Sequence, residues 1–165
     1  MIEWYELAIE PTIRRLGAVV RDTFNVWVGF CDLEGNTVPL GGGTTMRRTV
    51  CERFMANSSG DGGADDVLTC HGSNLRWVQK DAAAERVDPF KSCHAGLGAI
   101  TLPLRYDGEV IGNVYASGFV ASERAEGLLD QLRRRLEERD LVREGEREDA
   151  LATVPLLDRS QRACV

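Results

Sequence analysis

The sequence has no apolar run approaching the ~20 residues that span a bilayer, so no membrane-crossing helix is expected. Its start, MIEWYELAIEP, is acidic and does not have the pattern of a secretory signal. Basic residues are not in excess. Lys and Arg number 20 against 26 Asp and Glu, and the formal charge of −6 argues against a nucleic-acid footprint, which needs a basic face. There is no CxxC knuckle, no Gly-Lys-Ser/Thr phosphate loop, and no strand–GxGxxG–helix unit, so nucleotide binding by those routes is not expected. No repeat of fixed period is present. No acid–base pair or nucleophile triad can be assembled, so an enzyme is not expected either. A cytoplasmic protein is the default, and its 5 cysteines are then thiols or metal ligands rather than disulfides.

What is there centres on Lys91 to Val120. Ile100, Leu102, Leu104 and Tyr106 alternate with Thr101, Pro103 and Arg105, the period-two signature of a strand with one buried face. Asp107-Gly108 turns the chain. The return segment is apolar on both faces, with Val110, Val114, Ala116 and Gly118 alternating with Ile111, Asn113, Tyr115 and Phe119, which places it mid-sheet. Gly98, Gly112 and Gly118 inside these strands predict bulges or a close approach to the backbone.

Upstream, Glu3 to Phe24 reads as a helix that Pro11 either interrupts or restarts at an N1 position. Ile13, Leu16, Val20 and Phe24 form its expected buried stripe. Val26 to Cys31 and Thr37 to Leu40 make a first hairpin, with Pro39 favouring an edge. Gly41-Gly42-Gly43 is a joint, Thr49 to Ala56 a short helix, and Asn57 to Asp66 a loop. Cys70 to Arg86 is a helix with Leu75, Val78 and Trp77 inward and its alanine run on a packed face. Downstream, Ser122 is the expected N-cap of a helix to about Asp140, with Leu128, Leu129, Leu132 and Leu136 in one stripe. The order predicts an α+β fold: an antiparallel sheet, helices inserted between two hairpins, and N- and C-terminal helices. Residues 1–120 are the expected domain, and residues 121–165 a helix and tail packing on it or extending from it.

Cys93-His94-Ala95-Gly96-Leu97, then Leu102-Pro103-Leu104, Asp107-Gly108, Ile111-Gly112-Asn113 and Gly118, resemble the core of the PocR sensory domain. Val50-Cys51-Glu52-Arg53 and Cys70 are similar to the family's two earlier cysteines. Ala150 to Leu157 is similar to its segment after the sheet. The resemblance spans about Leu16 to Leu157. It implies a PAS-like ligand-sensing domain of bacterial regulators that binds small hydrocarbon derivatives such as short diols. One departure is Phe119, where the family usually has Gln. No helix-turn-helix or kinase segment follows, so a stand-alone sensory or adaptor module that signals through a partner protein is expected. The Trp4-Tyr5 start of the first helix suggests pairing with a second copy.

Two candidate sites follow. The inward residues Phe30, Ile100, Leu102, Leu104, Val114 and Ala116, together with Gly118, are the expected lining of a ligand pocket, or equally plain core. Cys51, Cys70, Cys93 and His94 are the expected ligands of zinc or an Fe–S cluster, since thiolates and imidazole suit both. His71 is the alternative fourth ligand, and buried cysteines that only fill the core are the plain alternative. The expected niche has the second hairpin as one wall and the thiol-bearing inserted helices as the other. The rival functions are a constitutive interaction scaffold with a filled pocket and a cysteine-based metal or redox sensor.

Overall fold

The computed structural model describes residues 4–40, 50–51, 70–84, 86–138 and 144–165. The expected glycine joint and the 57–66 loop lie outside these residues, as does most of the 49–56 helix, of which Val50 and Cys51 are described and helical.

Pro11 does restart the helix. α1 is Trp4–Ile9 and α2 is Pro11–Phe24. The Glu10 carboxylate accepts the Ile13 amide at 2.8 Å, and Asn25 ends α2 in the left-handed conformation. β1 (Trp27–Asp32) and β2 (Thr37–Pro39) form the first hairpin. After Val50-Cys51 come α3 (Cys70–Ala83) and a three-residue strand β3 (Phe90–Ser92), which the sequence reading did not separate out. β4 (Gly98–Tyr106) and β5 (Glu109–Ala121) form the central hairpin. Asp107 and Gly108 both have positive φ, the geometry a two-residue hairpin turn requires. Ser122 does not cap the next helix as expected. Ser122–Arg124 is a 3-10 turn, and α4 runs from Ala125 to Glu138. A 3-10 turn at Glu144–Glu146, α5 (Arg147–Ala152), β6 (Leu156–Leu157) and α6 (Arg159–Cys164) complete the chain.

The sheet order is β2-β1-β5-β4-β3, every pair antiparallel, with β6 added parallel to the end of β5. This is the α+β, PAS-like arrangement expected: β5 is central, and β2, carrying Pro39, is an edge. Two register shifts leave Ile111 and Gly118 as extra residues in β5.

The sheet separates two environments. α1 and α2 cover one face, where Val28, Phe30, Ile100, Ala116 and Phe119 are buried with Ala8, Leu40 and Leu157. α3 covers the other. At the end of β5, Val120 and Leu97 share a second core with Leu132 and Leu136 of α4, Leu151 of α5, and Val154. Leu16 departs from the expected stripe: it is 62% exposed, and Gly17 takes the buried position. A Cβ at Gly17 would lie 2.8 Å from Leu40, so the helix docks there only because no side chain intervenes. On α3, Val78 and Trp77 are buried as expected, but Ala82 and Ala83 are exposed and the residue turned inward is Asp81.

Candidate functional site

Asp81 explains how α3 is seated. Its side chain is 1% exposed and accepts three hydrogen bonds, from Lys91 Nζ of β3 (2.7 Å), Thr101 Oγ1 of β4 (2.9 Å) and Asn113 Nδ2 of β5 (3.1 Å). Lys91 also donates to the Asp88 carbonyl, and only 6% of its side chain is exposed. One carboxylate thus ties α3 to three strands. The polar alternates Thr101 and Asn113 are therefore buried, while apolar Leu102 opposite is 51% exposed. The β4 pattern marks the faces correctly, but the polar face is buried too, because α3 covers it, while on the apolar face Ile100 is buried and Leu102 is not.

Toward the N-terminus of α3 the seam between helix and sheet widens into a niche of about 330 Å³. Trp27, Tyr115 and Ser117 form its floor and Trp77, Asn74 and Ser73 its roof, with Asn36 and Thr37 at one end. Trp27 Nε1 donates to the Tyr115 hydroxyl at 2.9 Å, and burial pushes the Tyr115 phenol upward, opposed by its hydrogen bonds to Trp27 and Thr37. Among the described residues no Lys, Arg, Asp or Glu lines the niche.

Three of the four expected metal residues line this niche. Cys51, Cys70 and Cys93 all reach it, whereas His94 is not among the lining residues and His71 is. His94 instead contributes its backbone. Its amide donates to Ser73 Oγ at 3.0 Å, and its carbonyl accepts Arg135 Nη1 of α4 at 2.6 Å. The Cys93–Leu97 turn is closed by Cys93 N to Leu97 O and Gly96 N to Cys93 O, both 2.9 Å, and Gly96 has φ +90. Burial raises the Cys93 thiol pKa, and the backbone amides of Ala95, Leu97 and Gly96, with the Arg135 guanidinium, pull it back down. Cys31, on the same face, is pushed up to about 12 by burial and the neighbouring Asp32. All five cysteines are thiols rather than disulfides. Among the described residues, no three His, Cys, Asp or Glu stand together in a way that would hold a metal ion.

The expected ligand residues are divided by the sheet. Phe30, Ile100, Leu102, Leu104, Val114 and Ala116 line a groove of about 400 Å³ on the opposite face, walled by Ile13, Leu16, Gly17 and Val20 of α2, not by the thiol-bearing segments. Gly118 alone of that set lines the niche, because it is the extra residue of a bulge with φ +95, and Cys51 Sγ lies 3.0 Å from where its Cβ would be. Phe119 is then delivered to the α2 face, 2% exposed, with its ring over Gly98. A polar residue at position 119 would lie on that face, so Phe119 takes nothing from the niche. The aromatic floor is not apparent from the sequence pattern. Trp27, Ser117 and Tyr115 stand at alternate positions of β1 and β5, a signal that needed the strand pairing to be read.

Comparison with known proteins completes the description. The model of the family described as the sensory domain found in PocR matches residues 11–164. No curated protein and no solved structure matches. No helix among the described residues is long and apolar enough to cross a membrane.

Proposed function

The chain belongs to the PocR sensory-domain family, and from that premise we propose that the niche under α3 is its sensing site. The observation that carries this reading is the lining: two tryptophans and a tyrosine, with hydroxyl and amide groups among them and no charged side chain described. Such a surface suits a small uncharged molecule whose carbon skeleton lies on the rings while its hydroxyls find partners. The groove on the other face is lined almost wholly by aliphatic side chains and Phe30, and offers a diol little to replace its lost water. Occupancy would not be converted by chemistry but passed on through contact with a partner protein or a second copy. The Cys93–Leu97 turn supports a route, since it touches α3 through Ser73 and α4 through Arg135. A second reading, favoured by the three thiols on the niche wall, is that the occupant is a metal centre.

Trp27 and Trp77 both face the niche, so their emission reports on what enters it. Titrating 1,2-propanediol and 1,3-propanediol is expected to give a saturable fluorescence change and a higher thermal midpoint. Ser117→Phe, which fills the floor, is expected to abolish both. Unchanged emission and midpoint with both diols overturns the small-molecule reading.

A further inference from the structure

We propose that Asn74 is the residue by which the niche selects its occupant, pairing with a small uncharged molecule that carries a hydrogen-bond donor and an acceptor on neighbouring atoms. This inference rests on the niche being the sensing site and names the group in it that discriminates. Asn74 lies on the sheet-facing stripe of α3 with Trp77, Val78 and Asp81, all of them buried. Asp81, two turns further along, reaches three strands and accepts a hydrogen bond from each. Asn74 is buried as well, at 9% exposure, yet its carboxamide has no hydrogen-bond partner among the described residues. What it faces is the niche, whose roof it forms with Trp77 and Ser73.

Asparagine brings the fold nothing at this position. It is a weaker helix former than leucine or glutamine. As the fifth residue of α3 it stands too far inside the helix to cap the first amides. A buried amide left unpaired by the protein is costly. Positions that break local rules without a compensating contact are where proteins keep their working groups. Other polar groups of the lining are already engaged. Ser73 Oγ accepts the His94 amide at 3.0 Å, the Tyr115 hydroxyl accepts Trp27 Nε1 at 2.9 Å, and Asn36 Nδ2 donates to Asp32 Oδ2 at 2.9 Å. The open amide of the niche is therefore that of Asn74. A carboxamide holds one acceptor oxygen and one donor nitrogen on a single carbon, which lets asparagine grip an adjacent donor and acceptor together. A vicinal diol or a primary carboxamide can pair with both ends. A single hydroxyl pairs with one end, shuts water away from the other and leaves it unsatisfied. The rings of Trp27 and Trp77 receive the carbon skeleton of any of these molecules and do not tell them apart.

The test is a matched series of 1,2-propanediol, propionamide and 1-propanol, titrated by tryptophan emission into the full chain and into Asn74→Val, which nearly keeps the side-chain size and the helix propensity. Wild type is expected to bind the diol and the amide roughly tenfold to a hundredfold more tightly than 1-propanol, the cost of leaving one buried end unpaired. In Asn74→Val that preference is expected to disappear while the affinity for 1-propanol changes little. Its thermal midpoint is expected at or above that of wild type, because no internal hydrogen bond is lost. A structural role would instead weaken all three ligands alike and lower the midpoint, and that result overturns the inference. Circular dichroism checks the fold; Asn74→Leu replaces a variant that fails to fold, and if both fail, the wild-type preference decides. A preference that survives in a folded variant overturns the inference and leaves the sensing site standing, as does a wild type that binds 1-propanol as tightly as the diol or the amide. No response of wild type to any of the three removes the sensing site and this inference with it.

Discussion

Replacing Lys91 with methionine removes the ammonium from a buried pair while keeping a similar stem. The Asp81 carboxylate, 1% exposed, would keep only the neutral donors Thr101 at 2.9 Å and Asn113 at 3.1 Å. Breaking a buried pair by removing one partner costs about 3–5 kcal/mol, because the remaining charge stays desolvated. Domains of this kind have about 5–15 kcal/mol in total, so Lys91→Met is expected to lose a large part of the fold's stability. At about 2–4 °C per kcal/mol, the midpoint falls by roughly 6–20 °C. Urea denaturation followed by circular dichroism measures the loss directly, with an unchanged slope confirming that both chains unfold from the same native state. Asp81→Asn/Lys91→Met should recover at least half of it. Asparagine still offers an oxygen to Thr101 and Asn113 but carries no charge. The reasoning fails if Lys91→Met costs less than about 1 kcal/mol, the behaviour of a solvated surface pair. It fails equally if the double variant is no more stable than the single one. Because α3 also carries Trp77, its loosening should shift tryptophan emission to longer wavelength before global unfolding.

Two further outcomes follow from local geometry. A Cβ at Gly98 would lie 2.5 Å from the Phe119 ring, so Gly98→Ala is expected to cost about 1–3 kcal/mol by overpacking, and Phe119→Leu should relieve part of it in the double variant; additive losses in urea midpoints refute the clash. At the surface, the Arg162 hydrogen bond holds the Glu123 carboxyl at about 2 against an ordinary 4.5. A depressed carboxyl stabilises the fold fully above pH 4.5 and loses that contribution as pH falls through about 2. The midpoint gap between wild type and Arg162→Gln should therefore narrow across that window, and a gap that stays constant with pH would sink the assignment.

The elements legible in the sequence are those with local causes. Pro11 starts α2, Asp107-Gly108 turns the central hairpin, and Pro39 sits on the edge strand. Two of the three strand glycines also match their expectation, a bulge at Gly118 and a close approach at Gly98, while Gly112 stays in register and the other bulge falls on Ile111. What misled was burial, which depends on which helix covers which face. Leu16 and Leu102 look like core but border an open groove, and the alanines of α3 look packed but are exposed. Asp81 looks like a surface charge because its three partners lie 10, 20 and 32 residues away. Cys51, Cys70 and Cys93 line one niche and His94 does not, and the apolar residues expected to share that space point through the sheet to the other side.

The extra residue at Gly118 has a consequence for anyone reshaping this protein. Strand β5 does not keep one phase from end to end: its backbone, not its side chains, decides that position 117 faces α3 while position 119 faces α2. Straightening the strand there with every residue kept would swing the large ring of Phe119 into the small space that Ser117 and Gly118 leave open, plugging it from within. Any chimera that borrows this sheet must carry the kink along with it, or it inherits the letters of the wall with the wrong ones showing.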